Sequence, residues 1–302
     1  MVSPYHEGEL AVQARAGVQE MARRIGRSIG STIPPAAQEF LARQPMVMIG
    51  TVDQGGFVWA SLVTGEPGFM QALDERRVSI AAHPLPGDPL NENLRINDQV
   101  GLIAIEPATR RRMRLNGRAE VGSDGAIMIY AQQVYANCPK YIQARAWELS
   151  DRSAPSARLV RNDVDLNPAQ QRWISEADTL FIASSHHAGG VDASHRGGHP
   201  GFVRVLHERL LAWPDYPGNM MFQTLGNIAV NPNAGLLFME FERGATLQLT
   251  GRAAIIWDEA RKGTFPGAQR VVEFHVDRVI QIEPAIGLRW KFLDYSPSNP
   301  RL

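Results

Sequence analysis

The sequence predicts a mainly β protein with flanking helices, arranged as two tandem small β-barrels related by internal duplication. Three observations carry this reading. The chain repeats itself: Ala60-Ser61 returns as Ala193-Ser194, Gly65-x-Pro67-Gly68-Phe69 as Gly198-x-Pro200-Gly201-Phe202, and Leu115-x-Gly117-Arg118-Ala119 as Leu249-x-Gly251-Arg252-Ala253. The offset is 133 positions at Ala60 and 134 at Gly117, and so constant a spacing marks a duplicated unit. Within each unit, short apolar runs alternate with turn residues, as antiparallel strands require. Each unit also inserts one helix into its strand series, which suits a small barrel.

The elements follow in order. Residues 6–28 read as one helix, with Leu10, Ala14, Val18, Met21 and Ile25 forming an apolar stripe that stops at Gly30-Ser31-Thr32. Pro34-Pro35 opens a short helix, since proline suits a first turn. Met46–Val52 and Trp59–Thr64 flank the turn Asp53-Gln54-Gly55-Gly56 as a hairpin. Strands are expected at Arg77–Ala81, Val100–Ile105, Met113–Val121 and from about Ala126 to Tyr135, with a loop at Pro84–Asp88 and a helix at Pro89–Ile96. In the third of these strands Met113, Leu115 and Gly117 alternate with Arg112, Arg114 and Arg118, giving one buried and one polar face. Arg110, Arg112 and Arg114 fall on that polar face, read first as solvated and second as an anion site.

Residues 148–166 are polar, lack a period and read as a linker. Asn167-Pro168 then caps the helix matching Pro34-Pro35. The second unit repeats the order: Leu180–Ser185, Val191–Arg196, Leu210–Trp213, a helix at Met220–Val230, Gly235–Phe241, Thr246–Ile256 and Gln269–Ile282. The expected organisation is a helical segment over 1–33, a first barrel over 34–147, the linker, and a second barrel over 167–302.

Bulk properties narrow the function. Thirty-one basic and 31 acidic residues leave a formal charge of +0, which argues against a general nucleic-acid binder. A single cysteine, Cys138, excludes an internal disulfide and a dithiol cycle. No run approaches the ~18 apolar residues of a membrane span. The N-terminus carries Glu7 and Glu9 and no apolar signal core, so a soluble cytoplasmic protein is expected. No glycine-rich phosphate loop opens a helix, and no hydrolase serine constellation stands out. His186, His187, His195 and His199 read as solvated loop residues; Arg196-Gly197-Gly198 separates His195 from His199, so no helical face aligns them, and no metal is expected.

Three stretches carry a resemblance: Asp192-Ala-Ser-His-Arg-Gly-Gly-His-Pro-Gly-Phe-Val-Arg-Val-Leu206, Pro214-Asp-Tyr-Pro-Gly-Asn219, and Thr224-Leu-Gly-Asn-Ile228 with Asn231-Pro232. Together they resemble the pyridoxamine 5'-phosphate oxidase-like, FMN-binding split-barrel family. Asn137-Cys-Pro-Lys-Tyr-Ile142 resembles a segment common among its uncharacterised members. The resemblance spans about residues 35–145 and 168–285 and implies two tandem split barrels with flavin in the seam between them. A homodimer of the whole chain is an open alternative.

The implied function is an FMN-dependent oxidoreductase passing a hydride between a nicotinamide donor or small organic substrate and flavin. The alternative is a non-catalytic flavin- or haem-binding module. The candidate cofactor residues are Ser194 and Arg196 beside the Gly197-Gly198 turn, Asn219 and Thr224 at the inserted helix, Trp213 as a ring wall, and Lys140 and Arg145 reaching across the seam. Where family members carry Arg or Lys at the helix start, this chain has Met220, Met221 and Phe222, and the first unit has Asp88, which would repel phosphate. No catalytic residue is assigned.

Overall fold

The computed structural model describes residues 3–136, 138–149, 159–187, 190–283 and 287–301. Asn137 and residues 150–158, the middle of the expected linker, lie outside the described residues.

The two units have the same topology. In the first, β1 (Met46–Val52), β2 (Val58–Thr64), β3 (Met70–Ala72), β4 (Arg77–Ile80), β5 (Gln99–Glu106), β6 (Arg111–Val121) and β7 (Ile127–Ala136) form one antiparallel sheet in the order β2-β1-β5-β6-β7-β4-β3. The strands β8 (Ala144–Leu149) and β9 (Leu159–Asp163) follow. In the second unit come β10 (Thr179–Ser185), β11 (Val191–Gly197), β12 (Arg204–His207), β13 (Leu210–Asp215), β14 (Asn233–Met239), β15 (Thr246–Ile256) and β16 (Arg270–Glu283). They line up as β11-β10-β14-β15-β16-β13-β12, the same path strand for strand. Even the irregularities repeat: a bulge falls between Asn116 and Gly117 in one unit and between Thr250 and Gly251 in the other. At both glycines a Cβ would collide with the carbonyl of the facing strand, Tyr130 in one and His275 in the other.

The helices sit at matched places. α3 (Pro35–Ala42) corresponds to α5 (Pro168–Glu176), and α4 (Leu90–Ile96) to α6 (Gln223–Val230). Asn93 donates to Thr51 Oγ1 at 3.0 Å and Asn227 donates to Ser184 Oγ at 3.0 Å, one interaction made twice.

The expected helix over 6–28 is two helices, α1 (Glu7–Arg15) and α2 (Gln19–Gly26). Gly17, at φ 70°, turns the chain between them. The break rotates the faces, so Leu10 and Met21 of the expected stripe are exposed and Val12, Gln13 and Ala22 are buried instead. The expected linker contributes β9, which pairs with β16. β8 pairs with a last strand, β17 (Leu288–Asp294), as a separate ribbon. The inserted helix α6 starts at Gln223 and not at Met220, because Met220 and Phe222 hold left-handed backbone.

Each barrel has its own apolar core, around Leu102 and Leu115 in the first and around Leu236 and Leu249 in the second. A third core lies in the seam, where Met48, Trp59 and Ile103 meet Phe181, Leu237 and Met239. The seam follows an approximate dyad. Gly50 faces its own counterpart, Ala183: a Cβ on Gly50 would lie 2.8 Å from the Ala183 Cβ. Gly101 and Gly235, also counterparts, each press on the other unit. A Cβ on Gly101 would lie 2.6 Å from the Asp192 Cα, and one on Gly235 2.5 Å from the Val58 carbonyl oxygen. Among the described residues no helix is long and apolar enough to cross a membrane.

Candidate functional site

The dyad generates two equivalent positions on the seam, and the sequence has made them unlike. At the first, β6 of the first unit brings Arg112 and Arg114 against β11 and the start of α6. A cavity of about 90 Å3 lies between them, lined by Ser194, His195, Arg196, Asn219 and Thr224 among others. At Arg112 and Arg114 the polar face of β6 therefore turns away from solvent, against the expectation from alternation alone, while Arg118 further along is exposed. The first two meet the other unit, and Arg114 is 3% exposed. Arg110 leaves this face: it sits before the strand at φ 56° and donates to the carbonyls of Ile142 and Tyr295.

The charges are unbalanced. Arg114 is ion-paired with buried Asp192, which also accepts from Tyr135 at 3.0 Å and Thr224 at 3.4 Å. Asp215, on the cavity wall, is held by Arg270 at 2.8 Å. Arg112 and Arg196 have no carboxylate within 4 Å among the described residues; Arg112 donates to His195 Nδ1 at 3.1 Å and Arg196 to the His195 carbonyl at 3.1 Å. Buried Arg112 Nε has no hydrogen-bond partner. Burial, then the neighbouring Arg196 and Arg114, pushes the Arg112 pKa down to about 9. Burial and the same cluster hold His195 well below its ordinary value. Its imidazole is therefore neutral, and since arginine can only donate, Nδ1 is the acceptor and the proton sits on Nε2.

Backbone strain gathers here too. Of four described non-glycine residues with positive φ, three line this cavity: Tyr141 at 65°, Met220 at 61° and Phe222 at 63°. Such residues cost energy that the surroundings must repay, and they concentrate at functional sites. The N-cap residue of α6, Phe222, makes no side-chain cap hydrogen bond, and Gln223, Thr224 and Leu225 of its first turn line the cavity. Gln13 of α1 donates to the Met221 carbonyl at 3.0 Å and steadies the strained loop. The rings of Tyr141 and Tyr216 stack at 5.1 Å on its rim, and the exposed Tyr141 hydroxyl donates to the Pro217 carbonyl at 3.0 Å.

At the dyad-related position the arginines are gone. Arg112, Arg114 and Arg196 are replaced by Thr246, Gln248 and Val63, while Ser194 is matched by Ser61. Asp88 fills the space. It accepts from Ser61 at 2.7 Å, Gln248 at 2.9 Å and the Leu90 amide at 2.9 Å. Burial pushes its pKa up to about 6. A carboxylate in this place opposes an anion, so among the described residues the dyad's two positions offer one cationic cavity.

Of the residues singled out in the sequence, Ser194, Arg196, Asn219 and Thr224 are brought together on the cavity wall. Trp213 is not beside them: it is buried in the second barrel against Phe274. Arg145 does not reach the cavity, being paired with Asp178 at 2.6 Å and stacked on Phe241. Half-buried Lys140 is not on its wall. His195 is a buried strand residue and not a solvated loop histidine. Sequence reasoning passes over Tyr141, Tyr216 and Gln13, and weighs Arg112 and Arg114 only as a patch. The signal for the arginines is present, because duplication implies that β6 of one unit faces β11 of the other.

No curated protein matches the chain. Among solved structures it is similar to HupZ from Group A Streptococcus, at 17% identity over 40% of this chain and 98% of that one, TM-score 0.33. It is also similar to an FAD-binding protein from Mesorhizobium loti, at 14% identity over 41% and 97%, TM-score 0.29. An FMN-binding protein from Syntrophomonas wolfei subsp. wolfei aligns at 6% identity over 37% and 84%, TM-score 0.29. The profile of the pyridoxamine 5'-phosphate oxidase family matches twice, over residues 33–162 and 166–288, one match for each barrel. With both units matched and both folded alike, the chain belongs to the pyridoxamine 5'-phosphate oxidase family.

Proposed function

We propose that the arginine-lined cavity holds the phosphate of one FMN per chain and that the protein is an FMN-dependent oxidoreductase. The observation that carries this is the pair Arg112 and Arg196: two half-buried arginines with no carboxylate within 4 Å among the described residues, on the wall of a cavity that the start of α6 also lines. Their excess charge suits a phosphate monoester, which carries close to two negative charges at neutral pH. The chamber has room for about three waters or one phosphate. The flavin ring would therefore lie outside it, and Tyr141 and Tyr216 offer the aromatic surface at the rim.

The residues have distinct tasks. Arg112 and Arg196 bind by charge and direct hydrogen bonds. Asp192 fixes Arg114, and neutral His195 fixes Arg112, so neither guanidinium must be reoriented when the anion arrives. Gln13 holds the Met221 carbonyl and with it the loop that carries the α6 amides. Hydride exchange with a nicotinamide or a small organic substrate is chemistry the flavin itself supplies. Met220 and Met221 stand where cations would strengthen phosphate binding, which favours a second reading, a flavin carrier without turnover.

Adding FMN to the purified chain should quench flavin fluorescence and give a yellow protein. Anaerobic addition of NADH or NADPH should then bleach it. Quenching without bleaching by either donor favours the carrier. A chain that neither quenches nor retains FMN at excess overturns the proposal.

A further inference from the structure

His6, Glu7 and His186 lie together where α1 meets the end of β10. Each offers one ligand atom, and these atoms lie within 4.8 Å of one another. The two imidazole rings face each other with centroids 4.2 Å apart. His186 Nε2 donates to Glu7 Oε1 at 2.9 Å, since a carboxylate only accepts. Asn227 accepts from His6 Nε2 at 2.9 Å, and the Gly8 amide donates to Nδ1 at 3.1 Å, so the ring is held in place. His6, His186 and Asn227 also border a cavity of about 540 Å3, which leaves space for water on an open coordination position.

The geometry points to a divalent transition-metal site formed by His6, Glu7 and His186, which ties the N-terminal helix to the second barrel. Two imidazoles, one carboxylate and an open position for water form a donor set suited to zinc. On binding, the ion takes the place of the Nε2 proton that His186 shares with Glu7; that proton leaves to solvent while Nδ1 takes one up, so His186 ligates as neutral imidazole. His6 gives up one of its two present bonds, either the Gly8 amide donating to Nδ1 at 3.1 Å or the bond to Asn227. The ligands come from sequence positions far apart, so the ion would act as a cross-link. α1 packs on α6 at the Gly8–Gly226 contact, and Gln13 of α1 holds the loop before α6. The site does not depend on flavin being bound.

The test uses the full-length chain without an affinity tag, stripped with EDTA, freed of chelator and titrated with Zn2+ alone. Calorimetry should give one zinc per chain, and the melting temperature should rise with zinc concentration. His186→Ala and Glu7→Gln should each weaken binding by at least about tenfold and remove most of the thermal shift. His207→Ala, at an exposed histidine in β12, should change neither. His6 also caps α1, so His6→Ala can loosen the helix for reasons unrelated to metal, and the test therefore relies on the other two variants. No saturable binding, or binding as tight in His186→Ala as in the parent chain, would overturn the inference; the second result would mean an adventitious ion only.

Discussion

Arg112→Met should stabilise the ligand-free protein and weaken FMN binding at once. Arg112 is charged in a buried chamber with Arg196 and Arg114 beside it, and its pKa has fallen from the ordinary arginine value to about 9. Each pKa unit corresponds to about 1.4 kcal/mol, so the empty site opposes this charge by on the order of several kcal/mol. A methionine of similar length removes that opposition and leaves the His195 Nδ1 acceptor unsatisfied, at a cost of about 1–3 kcal/mol. The balance is a modest gain, and each 1 kcal/mol would raise the melting temperature by about 2 °C in a chain of this size. The same change removes a charge-assisted bond to phosphate, commonly about 1.5–3 kcal/mol, or roughly ten- to 150-fold in Kd. Differential scanning calorimetry of the free protein and fluorescence titration with FMN measure both. A variant that melts lower and binds FMN as before would show that Arg112 is structural and remove it from the site.

Arg114→Met should behave in the opposite way, losing about 3–5 kcal/mol of stability because it strands buried Asp192, as guanidinium denaturation would record. Gly101→Ala and Gly235→Ala should each destabilise by at least about 1–3 kcal/mol, since each presses on backbone of the other unit, and equal costs in chemical denaturation would reflect the dyad. Burial lifts the Glu9 pKa to about 7. The folded chain then binds a proton more tightly than the unfolded one, so this group's contribution to stability falls as pH rises from about 4.5 to about 7. Glu9→Gln keeps the acceptor for the His6 amide and should raise the melting temperature at pH 8 but not at pH 4.

Most of the architecture can be read from the chain because strand periodicity and the repeat are local or pairwise signals. The repeat implies the equivalence of β1–β7 with β10–β16, and the bulge glycines Gly117 and Gly251 keep it in register. The single helix expected over 6–28 fails because Gly17 breaks the chain direction while leaving the apolar spacing intact. Leu10 and Met21 then fit a stripe that the fold does not use. The candidate site is half legible. Ser194, Arg196, Asn219 and Thr224 lie on adjacent elements of one unit, so short-range motifs find them. Arg112 and Arg114 come from the other unit, and their polar strand face becomes interior only when the barrels pair. Trp213 and Arg145 satisfy compositional expectations for a ring wall and a phosphate ligand, yet tertiary packing gives one to the core and the other to Asp178. The loss of one cationic cavity rests on Asp88, visible in the sequence as a misplaced charge, and on Gln248 and Val63, which only superposition of the repeats brings into comparison.

The functional reading stands on one anion-binding cavity per chain, built on Arg112 and Arg196, with its dyad mate filled by Asp88. Parallel fluorescence titrations with FMN and riboflavin isolate this feature, because the two ligands differ only by the phosphate. One FMN per chain is expected, bound at least about tenfold tighter than riboflavin, with that preference lost in Arg112→Met and Arg196→Ala. Two FMN per chain, or equal affinity for FMN and riboflavin, would be incompatible with it.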